Sequence, residues 1–190
     1  MFIDYVTLMI INMLAGHVIL AYYIYKGLDD ENPRHWSPGF GIVGLIALIT
    51  GLHMIFTWPL PSSYNITHGE MSVFFGIIFL ATSFALYNKL DLFTIAIYSL
   101  FAGAASVIIG ARIIISDMTK GPVMSGLGFI LSGLCGVFSL PTYLLRNNKK
   151  IRIVGALGLL AAGAIWALIG YVSYYDHLES FAKWVPLTMK

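Results

Sequence analysis

The chain has 190 residues, 58% of them hydrophobic and only 11% charged, with a mean hydropathy of +0.83. Membrane spans consume a composition of this kind, so no soluble catalytic domain fits beside them, and any function must sit between helices or on short loops. The net charge of +2 is small and scattered, which excludes the basic face or stripe of a nucleic-acid binder.

Every Asp, Glu, Lys and Arg falls outside six stretches, at about 5–25, 38–59, 71–88, 92–111, 121–145 and 153–175. Each approaches the ~20 apolar residues a helix needs to cross the ~30 Å hydrocarbon core. Lipid cannot satisfy backbone amides, so each span must be a helix, and the alternation of barrel strands is missing. The expectation is an all-α, single-domain integral membrane bundle over residues 1–190. Its six transmembrane helices lie at about 2–26, 38–59, 70–88, 91–117, 121–146 and 151–175.

The first helix opens on Met1-Phe2-Ile3-Asp4, which lacks the basic n-region of a secretory signal, so the first span is expected to be retained. His17 lies deep within it. A titratable ring at that depth needs a partner, and it reads either as a neutral histidine bonded across a helix interface or as a haem ligand, metal ligand or proton relay. Asn12, Ala15 and Gly16 form an adjacent small polar face suited to a helix contact.

Ser37-Pro38 places an N-cap and a first-turn proline before the second helix. Near its far end Thr50, His53 and Thr57 share one face, a polar stripe that should meet protein or water. Back-bonding of the threonines to helix carbonyls would explain the stripe without a ligand. The segment Trp58-Pro59-Leu60-Pro61 to Gly69-Glu70 reads as a shaped loop. Thr67-x-x-Glu70 fits a capping box for the third helix, and Asn65-Ile66-Thr67 matches a glycosylation sequon.

Asp91 can cap the fourth helix, along which Ala102, Ser106 and Gly110 recur every four residues. Gly126, Gly133 and Gly136 on the fifth helix and Gly155, Gly158, Ala162 and Gly163 on the sixth complete a small-residue set that predicts close packing of helices four to six. Gly121-Pro122 opens the fifth helix, and Pro141 should bend it by removing an amide donor and crowding the Val137 carbonyl. Arg112 either snorkels to the interface or pairs with Glu70 or Asp4. Trp166, Gly170, Ser173 and His177 follow one face of the sixth helix.

Seven basic residues, Lys26, Arg34, Lys89, Arg146, Lys149, Lys150 and Arg152, follow spans one, three and five, against four on the other side. The positive-inside rule then places those loops in the cytoplasm and both termini outside, in a multi-pass protein of the cytoplasmic membrane. His53, His68, Glu70 and His177 gather near the predicted outer surface and have the right donor types for a metal ion. No pair among them has a diagnostic ligand spacing. Cys135, the lone cysteine, reaches a depth like that of His17, where a soft metal or haem site is conceivable. The absence of glutamine leans toward a thermophilic host.

Thr50-Gly51-Leu52-His53, Thr57-Trp58-Pro59-Leu60-Pro61, Tyr64-Asn65, Gly69-Glu70 and Phe75-Gly76 resemble a family of prokaryotic membrane proteins, many archaeal, known as a domain of unknown function (DUF981-like). The resemblance covers most of the chain and implies a multi-span helical protein without assigning an activity. His68 stands where the family pattern expects an apolar or aromatic residue, which leaves His53 and Glu70 as its stronger site residues. The reading that follows is an accessory or structural subunit of a larger, respiratory-type membrane assembly, partnered by lipid and by other subunits or its own copies. The alternatives are a small carrier or channel for protons, metal ions or small solutes, and a metal or haem oxidoreductase. In these, His17 and His53 would bind the cofactor, and His53, His68, Glu70 and His177 the metal.

Overall fold

The computed structural model describes residues 5–185, so Asp4 and Lys190 lie outside the described part. Six helices are long and apolar enough to cross a membrane, and the described residues contain no strand. With the fifth span split in two, the α-helices run as α1 (Val6–Lys26), α2 (Ser37–Thr57), α3 (Met71–Asn88), α4 (Phe93–Ile115), α5 (Pro122–Val137), α6 (Ser139–Leu144) and α7 (Lys149–Ser180). The short α6 is the displaced end of the fifth span. Pro141 does more than bend that span, because α5 stops at Val137 and a new helix starts at Ser139. A proline nitrogen cannot donate to the Val137 carbonyl, so the chain resets one turn earlier.

The helices pair as antiparallel hairpins, α7 with α1, α2 with α3 and α4 with α5, and contacts of α1 with α2, α3 with α4 and α5 with α7 close them into a ring. Span six therefore packs mainly on span one and secondarily on α5, a different partner from the bundle of spans four to six that the small residues suggested. The first member of each hairpin runs toward the end that carries the termini, and the second runs away from it. The three hairpins thus share one sense around the ring, rather than forming two inverted halves.

Glycines set the two closest hairpins. Gly44 and Gly51 on α2 face Gly76 and Gly69, and a Cβ on Gly44 would stand 2.9 Å from the Gly76 carbonyl oxygen. In the second hairpin Gly103 and Gly110 on α4 face Gly133 and Gly126 on α5, with a Cβ on Gly103 only 2.5 Å from the Gly133 carbonyl oxygen. All four pairs are spaced by seven residues, so both hairpins use the same two-turn register of small residues against backbone. Polar side chains add ties. Asn12 donates to the Val43 carbonyl at 2.9 Å, joining α1 to α2, and Ser37 exchanges hydrogen bonds with Ser83 across α2 and α3. Ser37 is therefore a helix-helix tie and not the N-cap of α2, a position held by Trp36.

Gly121-Pro122 opens α5 as the sequence predicts, whereas the N-cap of α4 is Leu92, and Asp91 one residue earlier accepts the Phe93 amide at 2.7 Å. The capping box Thr67-x-x-Glu70 does not form. Asn65–Glu70 is a π-helical lead-in to α3, and the Thr67 hydroxyl donates back to the Tyr64 carbonyl. Asn65 is fully buried, accepting the Leu60 amide at 3.0 Å and donating to the Leu60 and Ser62 carbonyls. The sequon is thus spent on holding the loop together, and its amide nitrogen is out of reach of a glycosylating enzyme.

Arg152 departs most from its expected place. Counted among solvent-facing basic residues, it is instead buried at the start of α7, where Nε donates to the Ile24 carbonyl at 2.8 Å, Nη2 to the Tyr25 carbonyl at 2.9 Å and Nη1 to Asp29. A cation over the last carbonyls of α1 satisfies orphan acceptors and complements the helix dipole. Replacing Arg152 by Ala should cost about 2–3 kcal/mol, below the 3–5 kcal/mol of a fully buried pair because Asp29 stays largely in water. Arg152→Lys should recover only part of it, since one ammonium cannot match the guanidinium fork. Thermal unfolding in detergent checks this, and an unshifted midpoint for Arg152→Ala would remove the staple from the account.

Candidate functional site

The ring encloses two adjoining cavities. One, about 600 Å³, forms a vestibule at the end opposite the termini, its wall reaching Leu28, Leu92, Tyr143 and Lys150. The second, about 130 Å³, lies at mid-membrane between α1, α3, α4, α5 and α7. Leu20, Ile78, Phe79, Ser99, Cys135, Ser139 and Leu159 line both, so these residues form the junction. Five helical segments besides α3 supply them, and α2 contributes only Phe40 to the vestibule. The walls are mostly apolar and aromatic, and Lys150 at the mouth is the one ionic residue lining either space among the described residues.

Beyond the mid-membrane cavity, toward the termini, the interior is filled. Ile10, Ile113, Phe129 and Trp166 form a buried cluster, with Met13, Met71, Met118 and Ile169 packed around it. Phe129 lines the cavity and meets the Trp166 ring edge-on, with centroids 5.2 Å apart and planes at 87°. His68 also meets Phe129, at 5.9 Å in a similar perpendicular pose. The enclosed space is therefore open at the basic end and filled at the other.

His17 sits between plug and cavity, buried, with its ring stacked on Phe75 at 5.9 Å. Nδ1 lies 2.7 Å from the Met13 carbonyl, which can only accept, so Nδ1 carries the proton and Nε2 is the acceptor. The Ser132 hydroxyl, 2.9 Å away, donates to Nε2 and in turn accepts the Trp166 indole N–H at 2.9 Å. The chain Trp166 to Ser132 to His17 to Met13 is complete with a neutral ring, and it joins α7, α5 and α1. Ser106 donates to the Phe129 carbonyl at 2.8 Å. These serines were not singled out as site residues in the sequence. The signal available was the seven-residue spacing of Ser99 with Ser106, which puts both on one face of α4.

The other expected site residues are not brought together. His53 is exposed on the outer side of α2, where Nδ1 lies 3.1 Å from the Tyr5 hydroxyl. Its stripe faces away from the enclosed space, and Thr50 and Thr57 donate to the Ile46 and His53 carbonyls. His68 is half-buried with Nδ1 between the Tyr64 carbonyl and Thr67, Glu70 is exposed, and His177 lies 3.3 Å from the Thr7 hydroxyl on the α1–α7 seam. Among the described residues no three His, Cys, Asp or Glu side chains assemble as a metal site requires. His53 faces outward beside Tyr5 while His68 faces inward onto Phe129, so residues of neighbouring segments point to opposite faces of the ring wall. Arg112 is exposed and forms no ion pair with Glu70, in keeping with snorkelling. His17 and Cys135 do share the mid-membrane cavity.

The crystal structure of the urea channel from the human gastric pathogen Helicobacter pylori has a similar fold, with a TM-score of 0.65 and 17% identity over 85% of this chain and 97% of that one. No curated protein matches the sequence. A family model matches residues 1–180, and the chain belongs to that family, described as a protein of unknown function (DUF981).

Proposed function

We propose that the protein is a passive membrane pathway for small uncharged solutes, with the helix ring as its wall and the Phe129–Trp166 cluster as its closed end. The observation that carries this reading is the pair of adjoining cavities inside a closed ring, lined within the membrane by neutral groups alone. Ions find little there to replace their hydration, and a bare charge in such surroundings costs several kcal/mol or more. A small neutral solute loses far less. Likeness of fold to a urea channel supports the same direction.

An accessory subunit needs apolar flanks and small-residue seams, but it has no use for an internal cavity that opens at one end. The basic loops would hold the vestibule end in the cytoplasm and both termini outside. The test is reconstitution of the full chain into liposomes, followed by light scattering as the vesicles re-swell in urea. Re-swelling should be faster than in protein-free vesicles, without ionic current across the same membranes. Equal rates would overturn the reading.

A further inference from the structure

The mid-membrane cavity has six polar side chains in its wall, and five of their roles are already described or limited. His17 and Ser132 are bonded to each other and to backbone or Trp166, Ser106 donates to the Phe129 carbonyl, and Ser139 donates to the Ala96 carbonyl at 3.0 Å. Cys135 is a weak hydrogen-bonding group. Ser99 differs. It is only 8% exposed, it lines both cavities at their junction, and among the described residues its hydroxyl has no hydrogen-bond partner.

Among the described residues no fully enclosed side-chain oxygen lacks a partner, so the Ser99 hydroxyl opens on the cavity and is completed by whatever enters that space. The junction is otherwise framed by Leu20, Ile78, Phe79 and Leu159, which offer only apolar contact. Ser139 stands beside it with its proton committed and its oxygen lone pairs still able to accept. The junction therefore presents one hydroxyl that can donate or accept, a neighbouring acceptor, and an aromatic wall. The space beyond is about 130 Å³, which at ~30 Å³ per water corresponds to roughly four waters, or a molecule of about four heavy atoms.

We infer that Ser99 is the solute-selecting position of the pathway, holding at the cavity junction a small uncharged molecule of about four heavy atoms that carries both a hydrogen-bond donor and an acceptor. Small amides and small diols share that chemistry. The inference rests on the proposed solute pathway, and it adds the residue that discriminates and the class it favours. Solutes of greater length would have to displace Phe79 or Phe129 to enter, so the size limit belongs to the same place.

The experiment compares urea and ethylene glycol, each of four heavy atoms, in liposomes carrying the full-length wild type, Ser99→Ala or Ser99→Thr. Wild-type rates no better than protein-free vesicles would remove the pathway itself, and this inference with it. With an active wild type, Ser99→Ala should lose about fivefold in permeability, the worth of one modest hydrogen bond, while Ser99→Thr, which keeps the hydroxyl, should retain most of it. A loss confined to urea assigns the amide class, and one confined to ethylene glycol assigns the diol. Unchanged rates for both solutes in Ser99→Ala, with wild-type flux intact, would overturn the role of Ser99. Elution and melting of Ser99→Ala like the wild type are expected, because the change only shortens a side chain that bonds to nothing.

Discussion

Gly103→Ala should cost about 3 kcal/mol of stability or more, and Gly103→Val should yield no folded protein. A Cβ on Gly103 would lie 2.5 Å from the Gly133 carbonyl oxygen and 2.6 Å from the Val137 amide nitrogen. Both are backbone atoms of α5, so no rotamer change relieves the clash, and the two helices must separate along their length. Separation would also pull Gly110 away from Gly126, whose backbones approach as closely. Helix propensity works the other way, favouring Ala over Gly by up to ~1 kcal/mol, and it is outweighed. Gly155 supplies the control, since a Cβ there meets nothing nearer than 3.8 Å. Gly155→Ala should be neutral or slightly stabilising by the same propensity argument. Melting of the two variants in one detergent decides the matter, and equal midpoints would show that the glycine register does not set the α4–α5 distance.

That contrast explains which parts of the fold were readable in advance. The spans were plain because lipid penalises charge, and twenty charged side chains had to leave the six apolar stretches. Local punctuation was readable where one residue controls its own neighbours, as with Gly121-Pro122 and Pro141. It failed where a distant residue took over. Thr67 and Glu70 have the right spacing for a cap, but Asn65 organises the preceding loop and starts the helix five residues before Glu70, in a π-turn. Arg152 looked like one more basic loop residue because nothing in its own segment records that the end of α1 lies beneath it.

The site was less legible for a related reason. His17 stood out as an ionisable group inside a span, and it lies beside the cavity. His53 stood out more strongly and faces outward, because a polar stripe on one helix does not say which way that helix is turned in the ring. Ser99, Ser106 and Ser132 are chemically alike in sequence. Only the positions of the Phe129 carbonyl, the His17 ring and the Trp166 indole separate the committed hydroxyls from the free one. Spacing of four on α4 drew attention to Ala102, Ser106 and Gly110, whereas the seam itself follows Gly103 and Gly110 at a spacing of seven.

Phe129→Ala should raise solute flux by about tenfold, equivalent to ~1.4 kcal/mol off the barrier at the closed end. The Phe129 ring borders the mid-membrane cavity and belongs to the packed cluster beyond it, held by perpendicular ring contacts with Trp166 and His68. Truncating it removes the ring while leaving the Ser106 hydrogen bond, which is made to the Phe129 backbone carbonyl. Stability must fall as well, by about 3–5 kcal/mol, since a buried aromatic is lost from a packed cluster. The two readouts move in opposite directions for one physical reason: the atoms that fill the plug are also those that block the path. A variant that destabilises without opening, such as Arg152→Ala at the far end, separates the effects. If Phe129→Ala melts earlier but carries urea no faster than the wild type, the cluster is core packing and the closed end of the pathway lies elsewhere.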